Sequence, residues 1–67
     1  MEYTNTQIRD LIAEHIHSER DREILARRLI DGITFERLAE ETELSVSQVK
    51  RIVWKGSETV FRHMKEN

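Results

Sequence analysis

Residues 33–53 read ITFERLAEETELSVSQVKRIV, and this stretch contains two helix-start signals eleven residues apart. Thr34 is suited to cap the first helix, and Ser45 the second, where Gln48 three residues later completes a capping box. The spacing leaves room for one short helix, a tight turn and a second helix. It therefore predicts a helix-turn-helix from Thr34 to about Gly56.

The apolar residues of the same stretch are placed to hold its two helices together. A helix-turn-helix needs a small residue where the helices cross and apolar residues that fix their angle. Ala39 is the small residue, and the apolar positions are Leu38, Leu44, Val49 and Ile52. The apolar stripe continues through Gly56 to Val60. Gly56 either lets another helix approach closely or breaks the helix, and we favour a continuous helix.

Two further helices are predicted before this motif. Thr4 and Gln7 form a capping box, Ser18 is a second N-cap, and Gly32 is suited to end the helix that follows Ser18. No proline, repeat or apolar alternation of period two interrupts residues 1–67. We therefore expect a single all-α domain with a long last helix. Its four helices are predicted at about residues 5–17, 19–31, 35–42 and 46–64.

Charge is divided unevenly along this 67-residue chain of net charge −2. Residues 1–45 hold 11 acidic and 6 basic side chains, whereas residues 46–67 hold two acidic and five basic ones. The absence of cysteine excludes a disulfide framework and a thiolate metal site. No apolar run could span a bilayer and no secretory signal is evident, so we expect a cytoplasmic protein.

One face of the last helix carries side chains suited to DNA. On a helical wheel, the side chains opposite the apolar stripe are Ser47, Gln48, Arg51, Lys55 and Arg62. Arg51 can pair with guanine, Gln48 with adenine, and Val46 can meet a thymine methyl group. Lys50 and Lys55 suit phosphate contacts. The alternative is an ordinary solvated helix face.

The order and spacing of these residues resemble a known family. The runs DREIL (21–25), DGITFERLAEE (31–41) and LSVSQVKRI (44–52) are similar to the C-terminal domain of sigma-70-type sigma factors, which reads the −35 promoter element. LuxR-type effector domains share much of this pattern. The resemblance covers about residues 18–64. It implies base contacts by Val46, Ser47, Gln48 and Arg51, and phosphate contacts by Thr34, Arg37, Lys50 and Lys55.

The resemblance also implies a function and partners. A complete sigma factor has a separate domain for the −10 element, and Met1 looks like a natural start. We therefore expect a small sigma-like transcriptional regulator, of phage or mobile-element type, that binds double-stranded DNA. Because residues 1–45 are net acidic, binding of DNA by one copy is expected to be weak, and a homodimer or RNA polymerase is expected to supply further affinity. Glu43 occupies the turn position at which the family often has glycine, which leaves the turn conformation open.

A non-enzymatic role is expected, with no cofactor, metal or small-molecule substrate. His15 and His17 point about 160° apart on a helix and cannot chelate a metal together. The acidic stripe of Glu36, Glu40 and Glu43 is expected to be a solvated face, because a chain this short offers little pocket to shift a carboxylate pKa. No nucleophile–base pair or phosphate-cradling loop is evident.

Trp54 and Phe61 lie beside the main apolar stripe and leave two interpretations. We favour packing of the first helix over both rings, which would make them part of the core. The other interpretation is a partner surface, because aromatic residues are enriched in interface cores. The latter fits the alternative function, a protein-interaction module of the same fold that contacts RNA polymerase or another regulator without reading DNA.

Overall fold

A computed structural model describes residues 3–65 of the chain. Its four helices, in chain order, are α1 (Asn5–His15), α2 (Glu19–Leu29), α3 (Phe35–Thr42) and α4 (Val46–Lys65). No strand occurs in this part of the chain, so the predicted four-helix, all-α architecture is confirmed. Among the described residues, no helix is both long and apolar enough to cross a membrane.

The helices begin where the sequence predicts because hydroxyl side chains cap them. Thr4 Oγ1 accepts a hydrogen bond from the Gln7 N–H at 3.2 Å, and Gln7 Oε1 accepts one from the Thr4 N–H at 2.8 Å. The hydroxyls of Ser18 and Thr34 accept from the backbone N–H three residues later, at 3.3 Å and 3.2 Å. These bonds satisfy donors that have no partner within the first helical turn.

The first two helices each end two residues earlier than predicted. α1 stops because Ile16 is extended, with φ −108° and ψ 118°, and its carbonyl accepts a hydrogen bond from Arg22 Nε. After α2, Gly32 takes a φ of 69°, and the next N–H, that of Ile33, donates to the Arg27 carbonyl at 3.1 Å. Gly32 therefore has the positive φ predicted for a glycine that ends a helix, although α2 itself already ends at Leu29.

Two clusters of buried side chains form the core, and α2 and α4 contribute to both. The first cluster joins α1, α2 and α4 through Leu11, Ile12, Leu25, Val60 and Met64. The second joins α2, α3 and α4 through Ile24, Leu38, Ala39, Val49 and Val53. The neighbouring residues Ile24 and Leu25 are both fully buried and belong to different clusters. α2 therefore lies between the other helices.

At Gly56 the side chain of Leu25 on α2 packs directly against the backbone of α4. α4 continues through this residue without a break, as expected. A Cβ atom placed on Gly56 would lie 2.9 Å from Cδ2 and 3.0 Å from Cγ of Leu25, and closer still to Cδ1. Because Leu25 has no exposed surface, its side chain cannot swing into solvent. The missing side chain at Gly56 therefore permits this helix contact.

The favoured interpretation that α1 covers Trp54 and Phe61 is wrong. Trp54 is 63% exposed and Phe61 is 47% exposed. α1 instead packs Leu11 against the side of α4 that carries Val60 and Met64. Val60 lies about 120° around the helix from Trp54, so the face that receives α1 leaves the indole uncovered.

Replacing Gly56 with alanine should lower the free energy of unfolding by up to about 2 kcal/mol. Overpacking a fully buried leucine costs about 1–3 kcal/mol, and the ~1 kcal/mol that alanine gains as a better helix former offsets only part of this. Urea unfolding followed by circular dichroism measures the change. Glu58→Ala, at an exposed position of the same helix, is the control and should shift stability by less than ~0.5 kcal/mol. A more stable Gly56→Ala protein would contradict the close contact.

Candidate nucleic-acid interface

The turn between α3 and α4 is tight and has a left-handed residue. α3 ends at Thr42, whose Oγ1 donates a hydrogen bond to the Leu38 carbonyl at 2.6 Å. Glu43 follows with φ 61° and ψ 23° and is the only non-glycine residue of positive φ within residues 3–65. α4 begins three residues later, at Val46. The turn therefore has the geometry that glycine would adopt, formed here by glutamate at a steric cost.

A glycine at position 43 should relieve this cost. We expect Glu43→Gly to raise the free energy of unfolding by about 0.5–1 kcal/mol, because glycine adopts positive φ readily. Glu40→Gly is the matched control, since Glu40 is an exposed residue within the same helix. That substitution should destabilise the protein by about 1 kcal/mol. Chemical denaturation measures the free energy of unfolding of both variants. Changes of the same sign in the two variants would contradict a steric cost at Glu43.

The predicted apolar residues hold α3 against α4. Leu38, Ala39 and Val49 are buried in one cluster, and Leu44 and Ile52 pack against it half-buried. Val49 has no exposed surface at all. Since this face of α4 is fixed in the core, the opposite face is held towards solvent in one orientation.

The solvent face of α4 collects most of the predicted DNA-binding side chains. Ser47, Gln48, Arg51 and Lys55 are exposed, whereas Val46 and Lys50 are half-buried. A shallow groove along this face is lined by Ser47, Lys50, Arg51, Trp54, Lys55 and Glu58. Lys50 Nζ also lies 5.8 Å from the centroid of the Phe35 ring. Val46 packs against the apolar cluster of α3, so only part of its surface can meet a ligand.

Gln48 has a structural role that limits its predicted one. Its Oε1 accepts a hydrogen bond from the Ser45 N–H at 2.9 Å, while Ser45 Oγ accepts from the Gln48 N–H at 3.1 Å. The predicted capping box is thus confirmed. A bidentate pair with adenine needs both the oxygen and the nitrogen of the amide. In this conformation only the NH₂ group of Gln48 is available to a ligand.

The side chains predicted to contact phosphate differ in whether their polar groups already have partners within the protein. On α3, Thr34 Oγ1 caps the helix, and Arg37 Nε lies 3.0 Å from Glu41 Oε2. Glu41 also pairs with Arg27 of α2 at 3.1 Å. On α4, the cationic groups of Lys50 and Lys55 form no ion pair with any residue from 3 to 65, nor does that of Arg51. Positive charge available to a ligand is therefore concentrated on α4.

Sequence reasoning missed the stacking of two histidines. The rings of His15 and His63 lie parallel, 3.5 Å apart between centroids and inclined by 2°. This contact joins the end of α1 to the C-terminal part of α4. Only the mutual orientation of the two helices brings the rings together, so no local pattern signals it. Within residues 3–65, no group of three potential metal ligands occurs.

Substitutions of two serines at the start of α4 distinguish a hydroxyl that caps the helix from one that is free to contact a ligand. Ser45→Ala should cost about 1 kcal/mol of stability, because it removes the cap acceptor at the start of α4. Ser47→Ala, two residues along, removes an exposed hydroxyl that makes no hydrogen bond within residues 3–65. It should change stability by less than ~0.5 kcal/mol. Thermal unfolding of the two variants would contradict this assignment if both lost equal stability.

The candidate interface is thus the N-terminal half of α4 with the turn that precedes it. Comparisons of the chain with protein-family models, curated proteins and solved structures found no match.

Proposed function

We propose that this chain binds double-stranded DNA in a sequence-specific way as a small transcriptional regulator. In this proposal α3, the turn at Glu43 and α4 act as a helix-turn-helix, and residues 46–56 of α4 enter the major groove as the recognition helix. One observation carries the proposal. The N-terminal half of α4 is fixed by α3 on its apolar side and presents unpaired cationic groups on its free side.

The side chains of this face have the chemistry that base recognition requires. Arg51 offers two N–H groups that match the O6 and N7 acceptors of guanine, and Ser47 can donate to or accept from a base edge. The NH₂ of Gln48 can donate to an acceptor, and the exposed part of Val46 can meet a thymine methyl group. These four residues constitute the proposed base-reading set.

Other side chains are suited to position the helix on the DNA backbone. Lys50 and Lys55 flank the base-reading set and can contact phosphate, which fixes register without reading sequence. Thr34 and Arg37, at the start of α3, are proposed to meet the neighbouring backbone. Arg37 would have to share its guanidinium between Glu41 and a phosphate. We therefore assign it a smaller contribution than either lysine.

The charge distribution favours approach through α4 and weak binding by a single copy. Residues 1–45 are net acidic, and residues 46–67 are net basic. A polyanion is attracted to α4 and repelled by the rest of the molecule, so the field orients the encounter. A second copy of the chain or RNA polymerase is proposed to supply the remaining affinity.

The resemblance to the C-terminal domain of sigma-70-type sigma factors gives the proposed regulator its class. By that resemblance, the proposed base-reading residues correspond to the positions with which the family reads the −35 element. The buried positions of Leu38, Ala39 and Val49 support it, because the proposed motif needs apolar residues there. We propose a sigma-like regulator acting at promoter DNA.

A second candidate function is favoured by the two exposed aromatic side chains. Trp54 and Phe61 are 63% and 47% exposed on a helix whose other apolar residues are mostly buried. Such residues are common at the centres of protein interfaces. In this alternative, the chain contacts RNA polymerase or another regulator through α4 and does not read DNA.

Selection from a random pool of duplexes, followed by binding titrations, tests the DNA proposal. Arg51→Ala should lower affinity for the selected duplex by about tenfold to a hundredfold, the value of a bidentate base contact. It should lower affinity for a scrambled duplex much less. Arg9→Ala is the control, because Arg9 is an exposed arginine on α1, and it should change neither affinity.

Salt dependence separates the two candidate functions. The logarithm of the affinity should fall with the logarithm of the salt concentration at about −0.9 per phosphate contacted. Lys55→Ala should reduce this slope by about 1. Absence of binding to every duplex at low salt, with no effect of Arg51→Ala, would overturn the DNA proposal.

A further inference from the structure

Trp54 is exposed without a structural reason. Its side chain is 63% accessible on α4, and its indole N–H donates to no acceptor within residues 3–65. Indole is a donor only and cannot accept a hydrogen bond through its nitrogen. A suitable ligand at this position would therefore offer an acceptor together with a surface on which the ring can lie.

The surroundings of Trp54 favour an anionic ligand over an apolar one. The groove that contains the indole is lined by three cationic side chains, Lys50, Arg51 and Lys55, and by one carboxylate, Glu58. An apolar protein surface seated on Trp54 would take these cations out of water without a partner, which is costly. A phosphate backbone complements the charge and supplies acceptors only.

With residues 46–56 of α4 in the major groove, as proposed above, Trp54 would lie at the edge of the groove. At 1.5 Å per residue, Trp54 lies about 12 Å along the helix from Val46, and the groove is about 12 Å wide. When the N-terminal turns of a recognition helix meet base edges, a residue two turns further along reaches the groove wall. Phe61, about 22 Å from Val46, lies beyond that wall.

We propose that Trp54 belongs to the DNA interface, where its indole N–H donates a hydrogen bond to a phosphate oxygen and its ring lies against the adjoining deoxyribose. This inference rests on the proposed function and extends it by one positioning residue. It separates Trp54 from Phe61, which takes no part in the contact. The contact is to the backbone, so it strengthens binding to every sequence alike.

Intrinsic fluorescence tests the proposal directly, because Trp54 is the only tryptophan of the chain. The unlabelled protein is titrated with a scrambled duplex at low salt, and tryptophan emission is recorded. In parallel, anisotropy of the same duplex, labelled with fluorescein, reports binding. Tryptophan emission should change on binding, and the midpoint of that change should equal the midpoint of the anisotropy curve. Binding by anisotropy with unchanged emission overturns the inference and leaves the proposed function intact.

Substitutions separate the indole N–H from the bulk of the ring. Trp54→Phe should lower affinity about tenfold to a hundredfold, the size of one hydrogen bond to a charged group, and Trp54→Ala should lower it further. The loss should be equal for the selected and the scrambled duplex, whereas Arg51→Ala acts mainly on the selected one. Phe61→Ala is the matched aromatic control and should leave DNA affinity unchanged.

Two other outcomes would decide against the proposal. Equal losses for Trp54→Ala and Phe61→Ala would indicate a surface shared by both rings, and wild-type DNA affinity in Trp54→Phe would remove the proposed hydrogen bond. Circular dichroism spectra verify that each variant is folded. Absence of DNA binding by the wild-type protein at low salt, even to duplexes of random sequence, would instead overturn the proposed function itself.

Discussion

The contact between Leu25 of α2 and Gly56 of α4 is the constraint on which the rest of the structure depends. It joins the two helices that belong to both core clusters. A side chain at Gly56 would separate α2 from α4, and each cluster contains residues of both helices. The positions of α1 and α3 on α4 are therefore linked to one close contact between a side chain of α2 and the backbone of α4.

This arrangement divides α4 into a face that folds the protein and a face that is free to bind. Val49, Val53 and Val60 are buried between the other helices. Arg51 and Lys55 consequently project to solvent from a helix that cannot rotate without exposing those valines. By contrast, the guanidinium of Arg37 on α3 donates a hydrogen bond to Glu41. The unpaired cationic groups of Arg51 and Lys55 are thus held on one rigid surface.

Local signals in the sequence predicted the helices well, and relations between distant residues were harder to predict. Thr4, Thr34 and Ser45 act on amides three residues away, so their capping could be recognised from spacing alone. Which side of α4 receives α1 depends on the packing of Leu11 against Val60, a contact between residues far apart in the chain. For this reason the sequence favoured the wrong one of the two interpretations of the aromatic rings.

Within the candidate site, the sequence predicted which side chains lie on the exposed face of α4. It did not predict which of their polar groups are free to bind a ligand. The helical period placed Gln48 on the exposed face of α4, and the capping pattern gave it a bond to Ser45, but only the structure shows that both demands fall on the same oxygen. The period likewise placed Arg51 on that face, but only the structure shows that its guanidinium forms no ion pair within residues 3–65. The resemblance marked position 43 as one where glycine is common, but the left-handed conformation of Glu43 could not be predicted, because a glutamate seldom adopts it.

The continuity of α4 has a consequence for how the molecule opens. Twenty residues run unbroken through both clusters, so the central turns of this helix cannot unfold locally while the core remains. Their amide hydrogens are expected to exchange with solvent chiefly through opening of the whole domain. A ligand held at the N-terminal end of α4 would then slow exchange in α1 as well, because it shifts the same folding equilibrium.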